Sequence, residues 1–266
     1  MTKPQPRPTR PASLSGALKA GFSGAYDSIG FVIAVSLICF VLLTACALAA
    51  IRIVQMDDAF TVPVTVAAVV FSSLSNWMAL TGAVFYATAK ANHRSADSGD
   101  AVDAIRSYAG LALRLYCLDM LIFVVLLGDT YFFVRTALEH NSLLYAAVGI
   151  VFGYLALMWS MMMMYHLPLM AAYQRPASEI RVLAVWRDSF VLLGGSPRFT
   201  VGLFLVIIAL ACLCAVPMLV GTALIFPGTA AFLAVFGLRE LFIRFGIVQD
   251  DAQEVEDKPW KLPDKR

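Results

Sequence analysis

The sequence predicts an all-α, polytopic membrane bundle of about six transmembrane helices. Three observations carry this. Of 266 residues, 60% are hydrophobic and only 14% are charged, whereas a soluble domain is usually about 25% charged. Apolar runs recur that are long enough to cross a bilayer, each needing about 20 residues at roughly 1.5 Å rise. Finally, Lys and Arg fall almost wholly between alternate runs.

The predicted spans are 30–51, 62–88, 115–137, 143–172, 199–219 and 222–245. The division between the last two is the weakest, because the link "PMLVGTALIFPG" is itself apolar and only Pro217, Gly221, Pro227 and Gly228 break it. Eighteen of the 20 Lys and Arg then lie on one side of the membrane, and only Arg52 and Arg135 on the other. Positive charge stays cytoplasmic, so both termini are expected inside. A wrong span count would scramble that division.

Residues 1–12, "MTKPQPRPTRPA", are basic and proline-rich, with no apolar stretch following directly. They read as a disordered cytoplasmic tail rather than a cleaved signal. Residues 13–246 form the membrane domain, and 247–266 a second charged tail.

Before each odd-numbered span the chain is amphipathic at helical spacing. In the first such segment Ser15, Lys19, Ser23 and Asp27 share one face, opposite Leu14, Leu18, Phe22 and Ala25. In the second, Asp100, Asp103, Arg106, Ser107 and Arg114 share a polar arc opposite Val102, Ile105, Tyr108, Ala109 and Ala112. The third, "SEIRVLAVWRDSFVLLGG", is less regular: Arg187 stands among apolar neighbours, so this helix is expected to be wedged partly under others. The chain thus reads as three units, each an interfacial elbow helix followed by a helical hairpin.

Ionisable residues inside membrane spans are expensive and mark ion or proton paths by default. Asp119 and Asp129 in span three, His166 in span four and Asn76 in span two are the candidates to line such a path. The structural alternatives are plain. Asp119 can pair with Arg114 or Lys90 at the inner interface. Asp129, in "LLGDTYFF", can mark where span three meets the outer surface.

The run "WSMMMMYHLPLM" raises a metal question. Met158, Met162, His166 and Met170 recur every four residues, and thioether plus imidazole suits Cu(I). A four-residue repeat drifts about 40° per step on an α-helix, so the four cannot all converge. Packing of flexible methionines in an irregular core is the favoured reading, with Pro168 bending the helix where it leaves the membrane. No cofactor is expected.

Ser72, Ser73, Ser75 and Asn76 are unusually polar for a span. Ala79, Ala83 and Ala87 form a small-residue stripe, and Gly149 and Gly153 a GxxxG. Both patterns allow close helix contact, within one chain or between copies. The five cysteines all lie in apolar runs and read as small buried residues, and Glu240 with Arg244 reads as an inner-interface helical pair.

Two stretches, "GAVFYATAKANHRSADSGDAVDAIRSYAGLALRL" and "YHLPLMAAYQRPASEIRVLAVWRDSFVLLGGSPRFTVGLFLVI", resemble the YesL-like family of small bacterial membrane proteins. The features are an Ala-x-x-Lys closing span two, an amphipathic segment, Tyr-x-x-Pro-Leu at the end of span four, and an elbow running through Ser-Pro into span five. The resemblance covers roughly residues 20–246. It implies a context, carbohydrate uptake, rather than a mechanism.

No phosphate loop, nucleophile elbow, HExxH or paired-cysteine metal motif is present, and the loops are too short for a catalytic domain. The expectation is a non-enzymatic accessory or scaffold protein that docks a membrane partner such as a permease. A small transporter or channel, with a polar path near Asn76, Asp119 and Asp129, is the alternative. A metal- or lipid-handling role rests on the Met/His stripe alone. The bilayer is a partner throughout, self-association stays open, and nothing in the net charge of +2 suggests nucleic acid.

Overall fold

A computed structural model describes residues 11–54, 61–215 and 220–248. The two tails beyond these limits and Pro217 lie outside the described residues. Every regular element among the described residues is a helix.

Helix α1 (Leu14–Asp27) starts where the Ser13 hydroxyl accepts from the Gly16 N–H at 3.1 Å, satisfying one orphan donor of its first turn. Ser15, Lys19, Ser23 and Asp27 are all exposed, while Ala17, Gly21 and Ala25 are buried. The chain then bends by 88° into α2 (Ile29–Val54). This is the geometry of an interfacial elbow feeding a span. Helices α3 (Thr61–Ala91), α4 (Ser98–His140) and α5 (Leu143–Ala172) follow, then a short 3-10 turn at Ala177–Glu179. The elbow α6 (Val182–Gly195), α7 (Pro197–Ala215), the short α8 (Val220–Leu224) and α9 (Phe226–Arg244) complete the bundle. Five helices are long and apolar enough to cross a membrane alone (α3, α4, α5, α7 and α9), and the bent pair α1–α2 is a sixth.

The middle elbow departs from the expected three-unit pattern. It is not a separate helix but the first part of the 43-residue α4. A capping box opens it: the Ser98 N–H reaches the Asp97 carboxylate at 2.6 Å, and the Asp97 N–H reaches Asp100 at 3.0 Å. No proline follows, and Gly110 stands in open space, so nothing interrupts the ladder. Packing supports it along this stretch. Ala101, Ala104, Leu111 and Ala112 are buried, and Gly82 of α3 comes so close that an added Cβ would meet the Ala101 carbonyl at 3.1 Å. The polar arc from Asp100 to Arg114 is exposed as expected, but so is Val102. Helix α4 ends at Asn141, whose left-handed backbone (φ 52°) turns the chain into α5.

Helix α9 is the hub. Buried residues make up 61% of its most apolar window, against 11% in α3 and in α5. Its small residues allow this. A Cβ on Gly228 would lie 2.7 Å from the Val32 carbonyl oxygen of α2, and the Gly228 N–H donates to Ser36 Oγ at 3.0 Å. Glu240, nearly fully buried, accepts from the Ser13 N–H at 2.8 Å and so holds the start of α1. Arg244 donates to Ser196, at the α6–α7 junction. Glu240 and Arg244 are therefore each tied to another element of the bundle.

The hydroxyl of Tyr108 donates to the Arg175 carbonyl at 2.7 Å. With the contacts of Glu240 and Arg244, this gathers the basic segments at one end of the bundle. The opposite end of α4 carries the exposed Arg135–Glu139 pair. The GxxxG of α5 packs within the chain: Gly149 faces Val134 and Gly153 faces Thr130 of α4. Of the cysteines described, Cys39 and Cys214 are buried, but Cys117 and Cys212 are exposed on helix faces, contrary to the uniform burial expected.

Candidate functional site: a buried Asp–His–Trp cluster

Three elements converge on Asp119. Helix α4 presents it on the same face as Ala112 and Leu115, all with no exposed surface. Helix α5 presents His166, also 0% exposed, and the elbow α6 presents Trp186. The His166 Nδ1 lies 2.8 Å from Asp119 Oδ2, and the Trp186 Nε1–H donates to Asp119 Oδ1 at 2.9 Å. Each carboxylate oxygen thus has its own donor. The assignment that satisfies both is an accepting carboxylate with the proton on Nδ1. An isolated charge buried at this depth would be costly, and two charge-assisted hydrogen bonds offset it.

Trp159, one helical turn from Met162 and Met163, closes the cluster. Its ring meets His166 edge-on at 6.0 Å and Trp186 at 5.2 Å. The indole N–H of Trp159 and the Nε2 of His166 are buried and have no hydrogen-bond partner among the described residues. Nucleophilic catalysis would require a hydroxyl or thiol on that free imidazole nitrogen. On the same two elements, Ser160 bonds the Ala156 carbonyl and Ser189 the Val185 carbonyl. The cluster can therefore orient an imidazole, hold a proton between two helices and fasten an elbow.

The four path candidates do not line up. Asp119 and His166 meet. Asn76 sits near the middle of α3, in a separate cleft facing α2 and α4. Asp129 is half-buried, and α4 runs on past it to His140. Neither Arg114 nor Lys90 pairs with Asp119: Arg114 is exposed, and Lys90 lies over the Tyr86 ring at 5.8 Å. His166 is fully buried in the bundle, and α5 continues through Pro168 to Ala172.

The methionine stripe divides between two apolar clusters. Met162 packs with Met161, Leu193, Met158, Trp159 and Phe204, whereas Met170 belongs to the main core. Among the described residues no group of three His, Cys, Asp or Glu is placed to hold a metal ion.

At the basic end, Tyr173 donates to Asp188 Oδ2 at 2.7 Å, and Arg187 donates to the other oxygen at 2.9 Å. Burial first, and then the Asp188 hydrogen bond, push the Tyr173 phenol above its ordinary value. Tyr173 and Asp188 border a groove of about 460 Å³ that Arg175 and Phe245 also line.

No known protein family matches the chain, and no curated protein or solved structure does.

Trp186 and Trp159 are the cluster members that spacing alone missed. A signal was present: an indole N–H in an apolar segment needs an acceptor, and Asp119 was an acceptor needing donors. What joins them is the α6 fold-back, which no local pattern specifies.

Proposed function

We propose that this chain is a non-enzymatic accessory or scaffold protein of the cell membrane, with both termini cytoplasmic, that docks a membrane partner. One observation supports the reading above others. The ionisable residues buried furthest in the bundle close on one another and on Trp186, so their polarity is spent joining α4, α5 and α6. The cavities bordered by Pro168, by Asn76 and by Tyr173 are not lined by Asp119 or His166. A bundle whose buried charges serve its own packing has little with which to move an ion. The elbows α1 and α6, and the groove between Tyr173 and Phe245, then form the docking face. The resemblance to the YesL-like family makes a carbohydrate permease the partner to look for.

A second reading, a small transporter, has one observation in its favour. His166 Nε2 is buried without a partner among the described residues, and a histidine backed by a carboxylate is a proton-relay arrangement.

Gentle detergent extraction of the tagged chain from native membranes, followed by mass spectrometry, separates the two. A stoichiometric permease or binding protein supports the accessory role. A homo-oligomer carrying nothing else moves the weight to transport, and Asp119→Asn in an uptake assay then becomes decisive.

A further inference from the structure

The groove at the basic end has the chemistry of a binding site as well as of a docking face. Packing sets its inner walls. Leu169 of α5 and Leu192 of α6 are buried, and the Phe245 ring lies so close to Gly195 that a Cβ there would meet it at 2.8 Å. The rim is apolar and open: Val191 is 58% exposed and Ile247 64%. Leu183 and Phe190, on the same outer face of α6 as Val191, are exposed too. Facing water, so much apolar surface at one place would be costly. In a bilayer interface acyl chains cover it.

The groove also carries charge. Arg175 lines it and is exposed, and its guanidinium makes no hydrogen bond or ion pair among the described residues. Asp188, the acid in the same wall, is already engaged: Tyr173 and Arg187 donate to its two oxygens at 2.7 and 2.9 Å. The charge left over in the groove is therefore positive. The surroundings agree in sign, because residues 174–198 hold Arg175, Arg181, Arg187 and Arg198 against only Glu179 and Asp188.

An apolar trough with one free guanidinium in its wall complements an acyl chain that ends in an anion. A basic pocket between helices at the cytoplasmic face is where anionic lipid head groups bind. The volume of about 460 Å³ lies in the range of small-molecule sites.

We propose that this groove seats an anionic phospholipid, with its phosphate on Arg175 and one acyl chain against Leu169, Leu192 and Phe245. The inference rests on the membrane placement proposed above and says what the groove holds when no protein partner is bound.

The test is native mass spectrometry of the purified full chain, released from detergent micelles after incubation with equal amounts of phosphatidylglycerol and phosphatidylcholine of identical acyl chains. Phosphatidylglycerol should be retained at least about five-fold over phosphatidylcholine, the factor that one arginine near an anionic lipid supplies. Arg175→Gln, at an exposed position, should erase that preference. Val191→Trp, also at an exposed position, should fill the groove and lower phosphatidylglycerol to the phosphatidylcholine level with Arg175 still present. Arg135→Gln removes the same charge at the opposite end of α4 and should change nothing. Equal retention of the two lipids by the unaltered chain overturns the proposal, leaving only lipid at large around the bundle. So does a preference that survives either groove variant, or one that Arg135→Gln also erases. Displacement of the lipid by inorganic phosphate overturns it as well, since Arg175 would then be a site for free anions. No partner is present in this measurement, so a negative result leaves the docking role standing, and failure to capture a permease leaves the lipid site standing.

Discussion

Removing the Asp119 carboxylate should loosen the elbow α6 more than any other single polar deletion. In Asp119→Ala, two donors lose their acceptor at once: His166 Nδ1, now 2.8 Å from the atom removed, and Trp186 Nε1, at 2.9 Å. Each stranded buried donor costs about 1–3 kcal/mol. Breaking a buried charged pair from one side costs about 3–5 kcal/mol in total. Much of that is the penalty of stranding groups, not the worth of the bond. The bond itself is isolated by a double-mutant cycle of Asp119→Ala with Trp186→Phe. Intramembrane pairs average about 0.6 kcal/mol and reach about 1.7, because the unfolded chain in lipid also finds partners. Trp186 is on an elbow, and its carboxylate partner is fully buried, so the upper half of that range is expected. The assay is detergent unfolding of purified chain in mixed micelles, followed by helical circular dichroism. Additivity within about 0.3 kcal/mol, together with a cost below about 1 kcal/mol for Asp119→Ala, would refute the reasoning. Asp119 would then be free of the lock, and the transport reading would gain.

Other expectations follow from the same contacts. Gly228→Ala should destabilise by about 1–3 kcal/mol, since its Cβ would meet the Val32 backbone at 2.7 Å, which cannot rotate away. Gly128→Ala, in open space, should be neutral or stabilising by up to about 1 kcal/mol in the same unfolding assay. Glu240→Ala should free the start of α1, which Ser13 anchors at 2.8 Å, and limited trypsin digestion at Lys19 should accelerate severalfold; an unchanged rate would mean that other contacts hold the elbow. For orientation, an impermeant maleimide on intact cells should label Asn141→Cys, at the α4–α5 turn, and should reach Ser95→Cys only after permeabilisation. The reverse pattern would overturn the proposed orientation. Above pH 10, ionisation of Tyr173 should lag that of an exposed tyrosine, because burial and Asp188 favour the protonated phenol. The sign follows from a raised value: the stability this bond contributes is fully present below the ordinary tyrosine range and is lost as pH rises through the higher one. Ultraviolet titration of the chain against Tyr173→Phe measures the difference.

Composition and periodicity by themselves determined the class of object. Runs of about 20 apolar residues have few fates outside a bilayer, and the exposed arcs of α1 and the first part of α4 follow from 3.6-residue spacing alone. The small residues Gly149, Ala83 and Ala87 announced close helix contacts, because size is a local property. What the tertiary structure decided was which polar groups meet. Asp119 was expected near Arg114 or Lys90, which are close in sequence or on the neighbouring span. It chose His166 and Trp186 instead, 47 and 67 residues away. The middle elbow merged into α4 because burial against α3 was available along its whole length, a fact of packing that no window of sequence contains. Hydrophobic periodicity tells a helix which face to bury. Only the assembled bundle says against what, and a buried carboxylate finds its donors among whatever that assembly brings within about 3 Å.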